Sequence, residues 1–289
     1  MAAASPELVR LDREGAVATL TIDHPPVNVL SAPVLDRIVA RLEELRADPS
    51  VRAVVLASAA EKAFAAGADI KEMAGLGPSG ARVHGERGQA TTVAIEQLPM
   101  PVIAAVHGSC LGGGCEIALA CDLVVASPDA KFGQPEVNLG VMPGWGGTQR
   151  LPRRVGASQA RYWIYTGRPV SAEEAMRQGW VLRVVARDRL LAEAQAIAAE
   201  IAGKAADAIA AAKYCVQFAV DRGIVPGLTF ELRHWEALFA TADQKEGMRA
   251  FLEKRAYSPA PRDPASSIAS VAGRTPPPKA DAAGGKRKN

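Results

Sequence analysis

With 289 residues, 48% of them hydrophobic, the chain is long enough for one large domain or two small ones and apolar enough to bury a core. Its apolar runs, such as 101–106, fall far short of the ~20 residues of a membrane span, and a start that soon carries charges of both signs (MAAASPELVRLDREG) argues against a secretory leader or anchor. A net charge of +3 would suit a nucleic-acid partner, but six basic and two acidic residues from Pro259 onward put +4 in the tail and leave the body at −1, which argues against a basic binding face.

The opening runs 8–11 and 17–22 read as short strands separated by the turn residues 12–15. A helix should follow, with Ser31 as its cap, Pro33 in its first turn, and Val34, Leu35, Ile38, Leu42 and Leu45 on one apolar face. Residues 51–57 read as a buried strand. A second pair is clearer: the run 102–106 is a strand, glycines 112–114 lead into a helix over 116–121, and 123–126 is another strand. This alternation predicts an α/β architecture with helices covering sheet faces. Beyond about residue 156 the pattern turns helical, with Ser171 and Glu174 spaced as a capping box and Asp243 and Glu246 in a similar arrangement with Asp as the cap. The Pro-, Ala-, Gly- and Ser-rich segment from Pro259 has too few large apolar residues to offset the entropy of ordering and is expected to be disordered.

The cysteines Cys110, Cys115, Cys121 and Cys215 lack the paired spacing of a zinc site, so no metal is expected, and reduced thiols in a cytoplasmic protein are the expected state. Two glycine-rich segments leave the backbone accessible: AFAAGADIKEM at 63–73, where Gly67 allows a tight turn before the amides of Ala68 and Asp69, and HGSCLGGGCEIALACD at 107–122. Unpaired amides at a helix start carry partial positive charge and can hold a developing oxyanion. Close packing or a turn explains such glycines equally well. There is no phosphate loop, no Gly-x-Ser-x-Gly elbow, and Ile117 breaks the dinucleotide fingerprint over 108–117.

Two carboxylates stand out. Glu116 follows the glycine loop inside an apolar helix, and Glu136 lies in KFGQPEVNLG between Pro135 and Val137. Partial desolvation at the first would raise its pKa toward neutrality while the helix N-terminus limits the rise. On residue type and setting alone, each is open between a capping role and proton transfer.

The chain resembles the crotonase, or enoyl-CoA hydratase/isomerase, superfamily from about residue 8 to 255, through KAFAAGADIKEM, PVIAAVHGSCLGGGCEIALACDLVVAS, AKFGQPEVNLGVMPGWGGTQRLPRRVG and EGMRAFLEKR in that order. The resemblance implies a spiral of ββα repeats over 1–200, a helical C-terminal layer over 201–258 used in trimerisation, and a homotrimer or homohexamer, with the basic tail at 259–289. It implies that the amides of Ala68 and Gly113 form an oxyanion hole for an acyl-thioester carbonyl, and that Ala68, Asp69, Ile70 and Lys71 contact coenzyme A. Hydratases of that family carry two glutamates at the positions of Glu116 and Glu136, whereas isomerases typically keep only the later one. By the same resemblance the Gly144 amide helps hold the attacking water, where a side chain would crowd the site, and Phe251 and Lys254 approach coenzyme A. Lys254 read locally is a solvated helix-end lysine. Trp145 either shapes the acyl end or is plain packing.

The activity so implied is reversible syn addition of water to a trans-2-enoyl-CoA, with no cofactor beyond the coenzyme A of the substrate. The alternatives are an isomerase or another acyl-CoA reaction on the same scaffold, with Glu136 acting alone, and, in a different class, an RNA-associated protein using its KRKN end, against which the body's charge argues.

Overall fold

The computed structural model describes residues 7–264 and Ile268. The chain opens with an antiparallel hairpin of β1 (Val9–Glu14) and β2 (Val17–Ile22), turned at Gly15, where φ is +57°. β3 (Val29–Leu30) leads to α1 (Ala32–Ala47), whose buried Val34, Leu35, Ile38, Leu42 and Leu45 form the face that the spacing predicts. Ser31 occupies the N-cap position without making a side-chain cap bond; the Glu72 carboxylate reaches the Ala32 amide instead, at 3.3 Å.

Three turns of a spiral follow, each laying one strand in a first sheet, the next in a second sheet, and then a helix. The first comprises β4 (Ala53–Ser58), β5 (Ala63–Ala65), the short β6 (Gly67–Ala68), α2 (Ile70–Met73) and α3 (Pro78–Glu96). The second is β7 (Val102–Val106), β8 (Ser109–Leu111) and α4 (Gly113–Ala120). The third is β9 (Leu123–Ala126), β10 (Lys131–Gly133), a 3-10 turn at Pro135–Leu139, α5 (Gly147–Val155) and α6 (Ala157–Thr166). β11 (Val170–Ser171), α7 (Ala172–Arg177), β12 (Arg183–Val184) and α8 (Leu190–Ala202) close the spiral, and α9 (Ala206–Arg222), α10 (Ile224–Leu238) and α11 (Ala242–Leu252) form the helical layer. The first sheet runs β1-β2-β4-β7-β9-β12 and the second β11-β10-β8-β5, parallel except at β1/β2 and β10/β11. This is the expected crotonase-like α/β spiral of ββα repeats.

Strand alternation explains the core. Val54 and Leu56 of β4 join the main cluster with α1 and α4, while Ala53 and Val55 face the other way with Ile103, Ala105 and Val125. That second face is covered by α8, where Ala194, Ala198 and Ala202 recur every four residues and let the helix lie close to the sheet. Each fully buried Leu or Ile contributes about 1.5–3 kcal/mol relative to exposure. Among the described residues, no helix is long and apolar enough to cross a membrane.

Two expectations are corrected. Ser171 does cap α7, accepting from the Glu174 amide at 3.1 Å, but α11 is capped by Thr241, which accepts from Gln244. Asp243 is buried and instead accepts the amides of Ala206 and Ala260, at 3.2 and 2.7 Å. The segment expected to be disordered from Pro259 begins docked: Arg262 is 6% exposed and donates to the carbonyls of Leu45, Arg46, Asp48 and Val51 at 2.7–3.3 Å. A charged fork aimed at open helix-end carbonyls supplies an anchor that hydropathy does not register. The basic residues from Arg274 onward lie outside the described residues.

Candidate active site

The two glycine-rich segments meet at the ends of neighbouring strands. β6 pairs in parallel with β3, Leu30 opposite Ala68, and Asp69 then caps α2 by accepting from the Lys71 amide at 2.8 Å. Beside it, β8 runs into Gly112, whose φ of +51° turns the chain into α4. A Cβ on Gly67 would lie 3.1 Å from the Leu111 carbonyl oxygen and 3.8 Å from the Gly113 nitrogen, and a Cβ on Gly114 would lie 2.3 Å from the Ala65 carbonyl oxygen. The loops therefore touch backbone to backbone, which only glycine permits. Gly113 is the first residue of α4, so its amide has no acceptor within the helix and is available to an oxyanion.

Glu116 sits one turn into α4 and is 2% exposed. Its carboxylate does not cap its own helix. Oε1 accepts the amides of Trp145 and Gly147, both at 2.7 Å, and Gly147 opens α5, so the charge rests on that helix's positive end. Among the described residues, Oε2 makes no hydrogen bond and remains available to a water. Burial raises the Glu116 carboxyl above its ordinary range, while the amides of Gly147 and Trp145, and then the charge of Arg150, limit the rise.

Glu136 belongs to the 3-10 turn after β10 and is partly buried. Its Oε1 stands 3.4 Å from where a Cβ on Gly112 would be, which puts the carboxylate over the start of the α4 loop. The buried Gln134 amide, oriented to donate, reaches Oε1 at 2.9 Å and Oε2 at 3.3 Å. Burial pushes the Glu136 carboxyl up to about 7, against its own turn's backbone amide and with the nearby Glu116 charge adding to the rise. Two carboxyls raised by burial, beside the Gly113 amide at the open start of α4, can move a proton to or from a carbon next to a polarised carbonyl.

The turn holding Glu116 is itself anchored. The Trp145 carbonyl accepts from Thr92 Oγ1 and from Arg150 Nη1, both at 2.9 Å, and Arg150 pairs bidentately with Glu96 at 2.9 and 2.7 Å. Gln89 donates to the Gly144 carbonyl at 2.9 Å. A Cβ on Gly144 would meet only the Met142 carbonyl oxygen, at 4.0 Å, among the protein's own atoms.

The structure thus brings the Ala68 loop, Gly113, Glu116, Glu136 and the Gly144 turn close together. Ile70 and Lys71 are exposed on α2 beside them. Phe251, 83% exposed, and Lys254 stand at the far end of α11, and among the described residues neither has a hydrogen bond or ion pair to that cluster. Sequence reasoning missed Gln134, two positions before Glu136, and the Arg150–Glu96 anchor. It also missed that the Trp145 and Gly147 amides bind Glu116; the successive glycines of PGWGG were the available signal that this backbone must fold closely against something.

The family model for enoyl-CoA hydratase/isomerase matches residues 12–259. A probable enoyl-CoA hydratase of Rhizobium meliloti is 48% identical over 250 residues, covering 86% of this chain and 96% of that protein. A crotonyl-CoA hydratase of Syntrophomonas wolfei is 42% identical over 250 residues, covering 86% and 96%. The crystal structure of an enoyl-CoA hydratase from Bacillus anthracis superimposes with a TM-score of 0.84 at 38% identity, covering 87% of this chain and 98% of that one. By its fold, its motifs and these relatives, the chain belongs to the enoyl-CoA hydratase/isomerase family.

Proposed function

We propose that the protein catalyses reversible hydration of trans-2-enoyl-CoA to 3-hydroxyacyl-CoA. The observation that carries this is the pair of carboxyls raised by burial at one cleft, one of them with a single oxygen committed to backbone amides and the other oxygen open. The amides of Ala68 and Gly113 hold the thioester oxygen as enolate-like charge builds on it. Glu116 Oε2 takes a proton from water as it attacks the β-carbon. Glu136 delivers a proton to the α-carbon, its raised pKa keeping it protonated up to about pH 7. Gln134 keeps that carboxyl over the Gly112 loop. The Asp69–Lys71 cap shapes the loop that would meet coenzyme A, with Ile70 and Lys71 on its exposed side.

The relatives named as enoyl-CoA and crotonyl-CoA hydratases support this reading over double-bond isomerisation by Glu136 alone. Assembly as a homotrimer or homohexamer through the helical layer belongs to the same proposal, supported by the exposed apolar residues of α9–α11. So does residence in the cytoplasm, in keeping with four free cysteines, three of them buried. Approach of Phe251 and Lys254 to coenzyme A would then be completed across a subunit boundary.

The test is loss of the conjugated-enoyl absorbance of crotonyl-CoA with a product heavier by one water, run beside Glu116→Gln and Glu136→Gln. Hydration abolished in both variants is the expected result. A Glu116→Gln enzyme of near-normal activity overturns the assignment of Glu116 and favours the isomerase.

A further inference from the structure

Trp145 is 3% exposed, and its indole is held between two positions that have no Cβ. A Cβ on Gly88 would lie 2.1 Å from Cδ2, and a Cβ on Gly113 would lie 2.3 Å from Cζ3. The five-membered side of the ring therefore lies on α3, and the six-membered side lies on the glycine whose amide faces the thioester oxygen. His84, one turn before Gly88 on α3, flanks the ring with centroids 5.6 Å apart. Gly88 within α3 and Gly113 at the start of α4, where alanine would favour the helix more, leave room for one aromatic side chain.

The ring's position relative to the substrate follows from the chemistry. Counting outward from the carbonyl, the α-carbon meets Glu136 and the β-carbon meets the water on Glu116 Oε2. Glu116 Oε1 is bonded to the amide of Trp145 itself. The next carbons of the acyl chain accordingly run toward the Trp145 turn. Between α3 and α5 lies an open groove of about 330 Å³, lined by Trp145, Thr92 and Val93 and, toward solvent, by the charged Glu96, Arg150 and Asp221.

We propose that the Trp145 indole is the end wall of the acyl site, confining the enzyme to short trans-2-enoyl chains and separating the cleft from the groove between α3 and α5. This rests on the hydratase reading and adds the substrate class. A wall of this kind discriminates sharply, since one methylene too many or too few in an apolar pocket changes specificity about 10- to 200-fold.

The experiment measures kcat/KM for four-, six-, eight- and ten-carbon trans-2-enoyl-CoAs with the wild type, Trp145→Ala and Trp145→Phe. The alanine variant keeps the backbone amide that binds Glu116. The wild type should fall about tenfold or more beyond its longest accommodated chain, and Trp145→Ala should raise the eight- to four-carbon ratio about tenfold or more. Trp145→Phe should lie between them, and it carries the test alone if the alanine variant does not fold by circular dichroism. A wild type indifferent to chain length, or variant profiles parallel to the wild type, overturns the proposal. Binding of butyryl- and octanoyl-CoA, which cannot be hydrated, separates this from the activity itself. Length-ranked binding that Trp145→Ala relaxes upholds the wall even if no enoyl-CoA is hydrated, whereas hydration with no length ranking in either measurement removes the wall and leaves the hydratase.

Discussion

The spiral and the helical layer handle apolar residues in opposite ways. In the spiral, Leu20, Leu35, Leu42 and Leu56 are at most 1% exposed, whereas in the layer Leu228, Leu232, Trp235 and Phe251 are 59%, 62%, 58% and 83% exposed. The layer does have some core of its own, with Phe218 stacked on Phe230 at 4.1 Å and a small cluster around Ala210, Ala211 and Tyr214. A single chain therefore completes the contacts that position Glu116 and Glu136, while it leaves a broad apolar surface on α9–α11. Exposed apolar area on that scale marks an interaction surface.

The largest effect that can test this contrast is chemical. Glu116→Gln or Glu136→Gln should lower kcat by about 10²- to 10⁴-fold, with the fold and assembly unchanged by circular dichroism and light scattering. Next comes a matched pair of leucines. Leu42→Ala should cost about 3 kcal/mol in denaturant unfolding, and Leu232→Ala less than about 0.5 kcal/mol in the isolated subunit. A cost for Leu232→Ala that approaches the first and grows with protein concentration would show the layer buried between subunits.

The seam between the regions provides a third test. Lys213 of α9 reaches the Asp122 carboxylate at 2.8 Å and the Met100 carbonyl at 3.2 Å, with its side chain 4% exposed. Removing Lys213 leaves the partly exposed Asp122 carboxylate with the Val102 amide alone, so Lys213→Ala should cost about 1–3 kcal/mol. Equal loss of both regions' structure in one transition would show that the seam couples them; loss of the helical layer alone would show that it does not.

The smallest effect is in pH dependence. The Glu136 carboxyl, raised to about 7 in the fold from an ordinary value of 4.5, is disfavoured as an anion. The stabilisation from keeping it protonated is complete below its unfolded pKa and is lost as pH rises through about 7. Unfolding midpoints of the wild type should decline across that window and those of Glu136→Gln should decline less. Hydration should fall as pH rises through about 7 and the acid is lost, with a second decline on the acid side as Glu116 protonates.

The spiral was largely legible because its elements announce themselves. β2, β7 and β9 are short runs of β-branched and apolar residues bounded by turns, and α1 shows a full apolar stripe. α3 was not legible: its buried face is Gly88, Thr91, Thr92 and Ile95, small or polar residues that carry almost no hydrophobic signal. The candidate site divides in the same manner. The glycine loops and the two glutamates are visible as residue types, but the partners of Glu116 are amides of Trp145 and Gly147, some thirty residues away, and a backbone donor has no side-chain signature. The strand-by-strand exchange between two sheets also came through resemblance, since each strand's membership depends on which neighbour it meets.

Arg262 bears on how the chain is completed during synthesis. Its bonds to the carbonyls at the end of α1 and at Val51 reach back 211 to 217 residues. A nascent chain can thus form the helix that begins at residue 32 early on, yet that helix's last carbonyls lack this donor until residue 262 has left the ribosome. The final native contact of α1 is set by elongation, and a chain arrested before residue 262 carries an unsealed helix end that distinguishes it from the finished protein.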